Sequence, residues 1–250
     1  MRIFNSNFIL RINRKEINMK LSLRLITIKN FVKENSIVAD IGTDHGYIPG
    51  YLIENNISKK VIATDISKGS LDKAIEYIEK IGYKEYIDTR LGNGLEVLKP
   101  YEVDTIIIAG MGGLLIKDII EKNLEITKTI NNFIFQPMGA AEELRKYLYE
   151  NNFKIIDEKI IKEDGKYYEI IYVSRGKDYI EDEIYYEISK KLLDKKDPVL
   201  REFIEFKINK TEEILKELEK THTEKTAKRK EDLSSRLKKY KEAKNSYEGY

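Results

Sequence analysis

The sequence predicts an α/β fold of the Rossmann-like, doubly wound type, and three observations support this prediction. Residues 37–41 form a short, apolar, β-branched segment that is typical of a buried strand, and residues 42–46 follow as a turn with a glycine at each end. A helix is expected next, and residues 61–65 form a second apolar strand that ends in a carboxylate. These elements together resemble the first unit of a nucleotide-binding domain. The alternative is a flavodoxin-like or other α/β domain whose glycines are incidental.

Further apolar segments continue the pattern along the chain. The other expected strands are residues 86–91, 103–109, 132–136, 153–161 and 167–173. Expected helices begin at Leu21, with Leu21, Leu25, Ile28 and Val32 on one face, and span residues 70–81 and 140–150. Strands that alternate with helices predict a mostly parallel, seven-stranded sheet. The last two strands surround Asp164-Gly165, a dipeptide that favours a β-hairpin, so the sheet should end in an antiparallel pair.

The glycine turn also indicates which nucleotide the domain binds. A dinucleotide site has the pattern G-x-G-x-x-G, which leaves room for a pyrophosphate. This chain has Asp44 in place of the middle glycine, and its carboxylate would repel a pyrophosphate. S-adenosylmethionine (SAM), which has a ribose and a positive centre but no phosphate, fits better. Asp65 lies near the offset of about 20 residues expected for an acid that hydrogen-bonds ribose hydroxyls.

Two later glycine-rich turns contribute to the predicted site. In the turn at residues 92–94, the amide of Asn93 can accept a hydrogen bond from the adenine amino group of the cofactor, although an ordinary turn explains the glycines equally well. Residues 110–113 hold three glycines where a strand ends, so a planar base can lie against bare backbone there. No Asp/Asn-Pro-Pro-aromatic motif occurs here, which argues against methylation of an exocyclic amine.

Composition excludes several other classes of protein. The chain has 250 residues, enough for one good core and a smaller appendage. Lys and Arg number 45 against 43 Asp and Glu, a net charge of +2, so any nucleic-acid signal must be local. There is no cysteine and only two histidines, which suits a reducing compartment and predicts no metal site. Because no apolar run approaches about 18 residues, no membrane span is expected.

The two ends of the chain differ from its centre. Residues 1–18 are expected to form a disordered extension before a natural start at Met19, or alternatively a basic arm that touches a partner. Residues 19–177 are expected to form the α/β domain. Residues 178–250 carry narrow apolar stripes and predict a helical, coiled-coil-like domain. Residues 220–244 hold ten Lys or Arg and four Asp or Glu, a local +6, which indicates either a solvated face or contact with an RNA backbone.

Several motifs, taken together, resemble those of the bacterial tRNA adenine-N1 methyltransferases of the TrmK type. The matching motifs are Leu21-Ser22-x-Arg24-Leu25, Ala39-Asp40-Ile41-Gly42-x-Asp44-His45-x-Tyr47-x-Pro49, Gly92-x-Gly94-Leu95, Ile108-Ala109-Gly110-Met111-Gly112-Gly113, Gln136-Pro137 and Glu163-Asp164-Gly165-Lys166. They cover about residues 19–175. Two positions depart from the family pattern: Asn93 stands where the family usually has Asp, and Met138 where it usually has Asn.

This resemblance implies a class I methyltransferase fold, SAM as the cofactor, and methyl transfer to N1 of adenine 22 in tRNA. The implied cofactor-binding residues are Asp40, Gly42, Asp44, Gly46, Asp65, Ile66, Asn93, Gly94, Ala109, Gly110 and Met111. The implied substrate-binding residues are Arg24, His45, Tyr47, Gly112, Gly113, Gln136 and Pro137. Resemblance and position nominate Asp44 as the catalytic residue. The alternative is that Asp44 only binds the amino group of the cofactor.

Other roles and functions stay open at this point. Arg24 either points into solvent or holds an RNA phosphate, and His45 either contacts a ligand or stabilises its turn. Tyr47 and Met111 either stack on a base or form part of the wall. The chain as a whole is expected to be a cytoplasmic monomer that binds tRNA. The alternatives are a methyltransferase for another RNA, a protein or a small molecule, and a non-catalytic RNA-binding protein with a relict nucleotide fold.

Overall fold

A seven-stranded sheet lies at the centre of the computed structural model, which describes residues 21–220 and 223–249. The strands are β1 (Ser36–Ile41), β2 (Ser58–Asp65), β3 (Ile87–Leu91), β4 (Thr105–Met111), β5 (Asn132–Pro137), β6 (Phe153–Glu163) and β7 (Lys166–Arg175). Their order in the sheet is β3-β2-β1-β4-β5-β7-β6, and β7 runs antiparallel to both of its neighbours. The predicted α/β fold with its terminal hairpin is confirmed. The expected extension at residues 1–18 and the start at Met19 lie outside the described residues.

Helices cover both faces of this sheet. They are α1 (Leu23–Asn30), α2 (Tyr47–Glu54), α3 (Lys68–Ile81), α4 (Gly113–Lys122), α5 (Leu124–Thr127), α6 (Ala141–Glu150), α7 (Ile184–Glu187), α8 (Lys190–Asp194), α9 (Leu200–Leu218) and α10 (Glu224–Glu248). One core contains side chains of α1, α2 and α3, and the other contains side chains of α4 and α6. Successive residues of β4 alternate between them: Ile106 and Ile108 face the second core, and Ile107 faces the first. Burial on both faces explains why β4 is apolar throughout.

The hairpin between β6 and β7 also holds α1 in place. Its two turn residues, Asp164 and Gly165, both have positive φ, +49° and +73°, as a two-residue hairpin turn of this kind requires. Glu163, at the end of β6, accepts a hydrogen bond from the backbone N–H of Leu23 at 2.6 Å. The carboxylate therefore satisfies a free N–H in the first turn of α1, which carries Arg24.

The chain between residues 180 and 194 differs from the prediction in one respect. The apolar stripe of Ile180, Ile184, Ile188 and Leu192 has helical spacing, but the structure breaks it into α7 and α8. Ile188 has extended backbone, and the hydroxyl of Ser189 accepts the N–H of Leu192 at 3.2 Å as the cap of α8. A serine that caps a new helix competes with continuation of the previous one, and periodicity alone does not reveal that competition.

The last two helices pair with each other. Ion pairs join Glu212 to Lys241, Glu205 to Lys244 and Arg201 to Glu248, so the residue numbers rise on α9 as they fall on α10. The two helices therefore run antiparallel. None of the helices within residues 21–220 and 223–249 combines the length and the apolar character that crossing a membrane requires.

The edge strand β6 is covered by this helical segment. Ile160 of β6 is buried among side chains of α7 to α10. Lys159 pairs with the buried carboxylate of Asp197 at 3.1 Å, and Lys195 pairs with Asp157 at 2.6 Å. The outer edge of the sheet is thus shielded by residues that follow it in the chain.

A buried ionic network fastens the same segment to the sheet. Arg145 of α6 donates to Glu158 at 2.7 Å, to Glu169 at 2.5 Å and to the carbonyl of Tyr186 at 2.9 Å. Burial raises the pKa of Glu158, while the neighbouring guanidinium opposes that rise. Removing one partner of such a network leaves an unpaired buried charge and costs about 3–5 kcal/mol.

Candidate active site

A cleft of about 920 Å³ opens at the carboxyl ends of the parallel strands, where ligands bind in α/β domains. Its walls come from α1, the turn after β1, the ends of β2, β4 and β5, and side chains of α3 and β7. The lining residues are Leu21, Ser22, Arg24, Leu25, Asp40, Gly42, Thr43, Asp44, His45, Tyr47, Ile48, Asp65, Ser70, Tyr77, Ala109, Gly110, Met111, Met138 and Tyr168.

The glycine turn after β1 forms the floor of this cleft. The backbone N–H groups of Gly42 and Thr43 both donate to the carbonyl of Thr64, at 2.8 and 2.9 Å, which ties the turn to β2. Gly42 has a φ of +77°, and a Cβ atom there would lie 2.3 Å from the terminal methyl of Met111. The absence of a side chain at Gly42 therefore lets Met111 pack across the turn from the end of β4.

Asp40, at the base of the turn, is buried and titrates in an unusual range. Burial raises the pKa of Asp40 to about 7, the hydroxyl of Thr43 lowers it, and the charge of Asp65 raises it further. The Thr43 hydroxyl oxygen makes no hydrogen bond of ordinary geometry to any described residue, although it is buried in the wall of the cleft. A cationic ligand in the cleft would favour the ionised form of Asp40.

Asp44 lies in the turn, and His45 is the side chain that contacts its carboxylate. Its backbone has a φ of +48°, and its side chain is 61% exposed. Oδ2 of Asp44 lies 2.7 Å from Nδ1 of His45, and the His45 ring stacks on Tyr47 at a centroid distance of 5.2 Å. Tyr47 in turn meets the edge of Tyr77. Asp44 is thus oriented by a short row of aromatic rings, while much of its carboxylate remains free for a ligand.

Asp65 links the end of β2 to two neighbouring turns. Its Oδ1 accepts the N–H of Ser67 at 2.7 Å, and its Oδ2 lies 3.4 Å from the backbone nitrogen of Asp44. Its own carbonyl accepts the N–H of Gly92 at 3.0 Å, which places the turn containing Asn93 beside it. Asn93 donates to Glu96 at 3.2 Å through Nδ2, so its amide oxygen stays available as an acceptor.

Arg24 lines the opposite wall, where it binds the buried side chain of Gln136. Nη1 of Arg24 donates to Oε1 of Gln136 at 2.8 Å, and the N–H of Gly110 donates to the same oxygen at 3.1 Å. The Gln136 amide nitrogen donates to the carbonyl of Pro137 at 2.9 Å. The Arg24 guanidinium also lies over the ring of Tyr168, 5.7 Å from its centroid. Arg24 therefore lies in the cleft wall, which contradicts the interpretation of a solvated surface arginine.

The structure brings most of the predicted site residues together, but not all of them. Those that line the cleft are Arg24, Asp40, Gly42, Asp44, His45, Tyr47, Asp65, Ala109, Gly110 and Met111. Exposed residues outside this lining are Ile66, Asn93 and Gly112. Buried residues outside it are Gly46, Gly94, Gly113, Gln136 and Pro137.

For three of the buried residues the structure shows a packing role. A Cβ atom on Gly113 would lie 2.1 Å from the carbonyl oxygen of Ala140, and one on Gly94 would lie 3.0 Å from Ile119. Gln136 is fully buried, and both ends of its amide are occupied by protein partners. The substrate contacts expected of Gly113 and Gln136 are therefore replaced by contacts within the protein.

Sequence reasoning missed several residues of the cleft. Tyr168 comes from β7, far along the chain from the glycine motifs, and no local signal marks it. Tyr77 and Ser70 lie on α3, which was predicted, but their direction toward the cleft depends on how α3 packs against α2. The sequence marks Met138 only as a departure from the family pattern. In the structure it lines the cleft and is 52% exposed.

Comparison with known proteins agrees with this geometry. A methyltransferase domain family matches residues 21–171. A tRNA (adenine(22)-N(1))-methyltransferase of Bacillus subtilis is 40% identical over 158 residues, which cover 63% of this chain and 66%, just under two thirds, of that protein. The crystal structure of the B. subtilis m1A22 tRNA methyltransferase TrmK superposes with a TM-score of 0.83 at 33% identity, covering 90% of this chain and 99% of that one. A structure of Mycoplasma capricolum TrmK with S-adenosyl-homocysteine gives a TM-score of 0.80 at 28% identity, covering 91% and 99%.

The seven-stranded sheet, the glycine turn and the acidic end of β2 together define a methyltransferase domain. Within that class, the chain belongs to the family of the TrmK proteins, since the similarity to the B. subtilis structure extends over nearly the whole of both chains. The family resemblance drawn from the sequence motifs is confirmed.

Proposed function

We propose that this protein transfers a methyl group from SAM to N1 of an adenine in tRNA, the reaction named for its B. subtilis relative. The position of Asp44 carries the proposal. Its carboxylate lies at the cleft, is oriented by His45 and keeps most of its surface free. An acid in that position can recognise the amino group of an adenine and stabilise positive charge on the ring.

The residues of the cleft fit SAM by the chemistry of their donor and acceptor groups. Asp40 and Asp65 favour an ammonium and a sulfonium over a pyrophosphate, and Asp44 adds a third acid that would repel a pyrophosphate. We propose that Asp65 binds the ribose hydroxyls and that Asn93 binds the adenine amino group through its free oxygen. The M. capricolum relative, which holds S-adenosyl-homocysteine, supports the same choice of cofactor.

When bound, SAM supplies an electrophilic methyl group. The residues of this chain then need only position the acceptor, because adenine N1 carries a lone pair and has no proton to lose. Asp44 accepts a hydrogen bond from the adenine amino group and stabilises the positive charge that develops on the base. His45 holds Asp44 in place, and Tyr47 offers an exposed ring on which the base can stack.

The acceptor base must leave any base pair to reach this site. N1 lies on the Watson–Crick edge of adenine, so it is blocked in a paired base. We propose that Arg24, the only Lys or Arg among the described residues that line the cleft, holds a phosphate of the extruded nucleotide. Its guanidinium keeps spare N–H donors after the bond to Gln136.

We further propose that four cations at the start of α10 contact the tRNA backbone. Of the ten Lys and Arg residues between 220 and 244, six form ion pairs with acids of the described chain, which leaves their charge largely neutralised. The remaining four make no ion pair with any described residue, and they are Lys225, Lys228, Arg229 and Lys230. In this proposal, residues 19–177 form the catalytic domain and residues 178–250 a helical domain that helps to hold tRNA.

Replacement of these four cations by Gln should weaken tRNA binding and lower the salt dependence of the binding constant, with a log–log slope smaller by about 3. The matched control replaces four ion-paired lysines, Lys220, Lys238, Lys239 and Lys241, and removes the same formal charge. Filter binding over a range of salt concentrations measures both slopes. Equal slopes for the two variants would contradict the assignment.

A transfer assay tests the main proposal. Purified protein is incubated with labelled SAM and unmodified tRNA, and the product is digested to nucleosides. The expected product is 1-methyladenosine from a single position. Methylation of another nucleoside, or binding of tRNA and SAM without transfer, would refute the proposed reaction. We also propose that the protein acts as a monomer in the cytoplasm, which sedimentation and cell fractionation can check.

A further inference from the structure

Two neighbouring loops at the mouth of the cleft carry no charged residue, although 35% of the chain is charged. Each begins in a strand and ends in a helix: residues 109–115 run from the end of β4 into α4, and residues 136–141 run from the end of β5 to the start of α6. Three large apolar side chains on these loops are exposed: Leu114 by 54%, Leu115 by 51% and Met138 by 52%. We call these three residues the apolar rim.

The apolar rim is built on rigid backbone. The N–H of Met138 donates to the carbonyl of Met111 at 2.8 Å, and the N–H of Gly113 donates to the carbonyl of Gly139 at 2.8 Å. Gly113 also packs directly against Ala140, with no room for a side chain between them. Backbone hydrogen bonds therefore join the two loops, and Met138 of the rim lines the cleft together with Met111.

The exposed side chains of Leu114 and Leu115 take no part in packing α4 against the core. Ile116, Ile119 and Ile120 are the buried side chains of α4 beyond its first residue, whereas Leu114 and Leu115 point away from that face. Without charged groups, the two loops are also poor ligands for phosphates. Exposed apolar side chains beside a binding cleft are suited to the faces of unpaired or unstacked bases.

We propose that the apolar rim inserts into the tRNA beside the target adenine and fills the space that the extruded base leaves. This inference rests on the proposed function, because it requires a base that leaves its stack to reach the cleft. Apolar wedges that enter a base step offset part of the cost of unstacking, which is a few kcal/mol. Met138 of the rim lines the cleft, so the same two loops would contact both the wedge site and the extruded base.

The test uses a tRNA with 2-aminopurine directly next to the target adenine, since the fluorescence of this base rises when its neighbour leaves the stack. Wild-type protein should raise the fluorescence, and the Leu114→Ala/Leu115→Ala variant should bind the tRNA with similar affinity but give a much smaller rise. Its single-turnover rate on unmodified tRNA should fall about tenfold, because the unstacked form is less populated. Alanine keeps the helix propensity of α4, so the fold should be retained.

The control variant is Leu124→Ala, which removes a leucine of similar exposure, 48%, at the start of α5, just beyond the C-terminal end of α4. It should match the wild type in both measurements. A second substrate places the target adenine opposite an abasic site, so that no base pair has to open and the base leaves the helix at lower cost. On this substrate the rate of the rim variant should return close to that of the wild type, a rescue that an unfolded variant cannot give.

Several results would overturn the inference. One is a normal fluorescence rise with the rim variant, and another is a rate defect that persists on the abasic substrate. A third result is that the wild-type protein sediments as a dimer and the rim variant as a monomer, while both give the same fluorescence rise. The rim would then be a contact between two copies of the chain. If wild-type protein methylates no tRNA, the proposed function fails as well, which separates that failure from failure of the wedge alone.

Discussion

The two walls of the cleft differ in how far their polar side chains are already hydrogen-bonded within the protein. On the side of β1, Asp44 has one side-chain partner, His45, and most of its carboxylate faces solvent. On the side of β5, Gln136 is fully buried, and its amide is saturated by Arg24, Gly110 and Pro137. A group that must bind a ligand needs spare hydrogen-bonding capacity, whereas a saturated group can act only by holding its neighbours. We therefore expect the chemistry at the first wall and structural support from the second.

The largest effect should come from the exposed wall. Asp44→Asn keeps the size of the side chain and its ability to accept a hydrogen bond but removes the charge, so it should reduce kcat by about 10²–10³. Affinity for SAM, measured by calorimetry, should change little. Normal turnover at saturating SAM, combined with weak SAM binding, would instead make Asp44 a cofactor ligand and would invalidate the assignment of chemistry to this wall.

A smaller effect is expected from the saturated wall. Gln136→Leu leaves Arg24 and the N–H of Gly110 without their acceptor, and kcat/KM for tRNA should fall about tenfold. If Gln136 acts by holding Arg24, the same change in an Arg24→Ala background should have little further effect. Steady-state kinetics of the two single variants and the double variant measure this coupling. Strictly additive losses would mean that Gln136 acts independently of Arg24.

The third prediction concerns pH and the buried Asp40. Burial raises the pKa of Asp40 to about 7 from an ordinary value of 3.8, so the folded protein holds a proton that the unfolded chain releases between these values. Stability should therefore decline as pH rises from about 4 to 7. Asp40→Asn should remove this decline and raise the Tm above pH 7 by roughly 5 °C. Thermal melts of both proteins across this pH range provide the measurement.

The same carboxyl should make SAM binding depend on pH in the opposite direction. A cationic ligand prefers the ionised form of Asp40, so affinity should rise as pH increases through about 7. Calorimetric titrations at several pH values should show this rise in the wild type and a flat profile in Asp40→Asn. A wild-type affinity that is independent of pH would show that Asp40 does not respond to the charge of the ligand.

Sequence reasoning was most successful where chemistry and local structure use the same residues. The turn at residues 42–46 needs glycines for its backbone and an acid for its ligand, so one short motif revealed both the fold and the site. The hairpin at Asp164 and Gly165 was likewise predictable, because a two-residue turn with positive φ restricts the residues allowed there. Local signals of this kind lie within a few residues of the structural feature that they determine.

The remaining features depend on side-chain directions and partners that are distant in the chain. Gln136 stands in a motif shared with the family, but nothing local shows that its amide turns inward to Arg24, 112 residues away. The positive run near the C-terminus gave a net charge, yet only the structure separates six paired cations from four unpaired ones. Motifs and charge counts describe which residues are present. Hydrogen-bond partners and ion pairs depend instead on how the chain packs.

The covering of β6 has a consequence for how the protein can be dissected. A chain cut after residue 177 would lose the partners of Ile160 and Lys159 and would leave the last strand of the sheet bare along its outer side. Bare strand edges recruit other strands, so the shortened protein should self-associate instead of remaining in solution. The C-terminal helices should thus protect the protein against aggregation. A fragment designed to keep only the residues of the cleft would lack that protection.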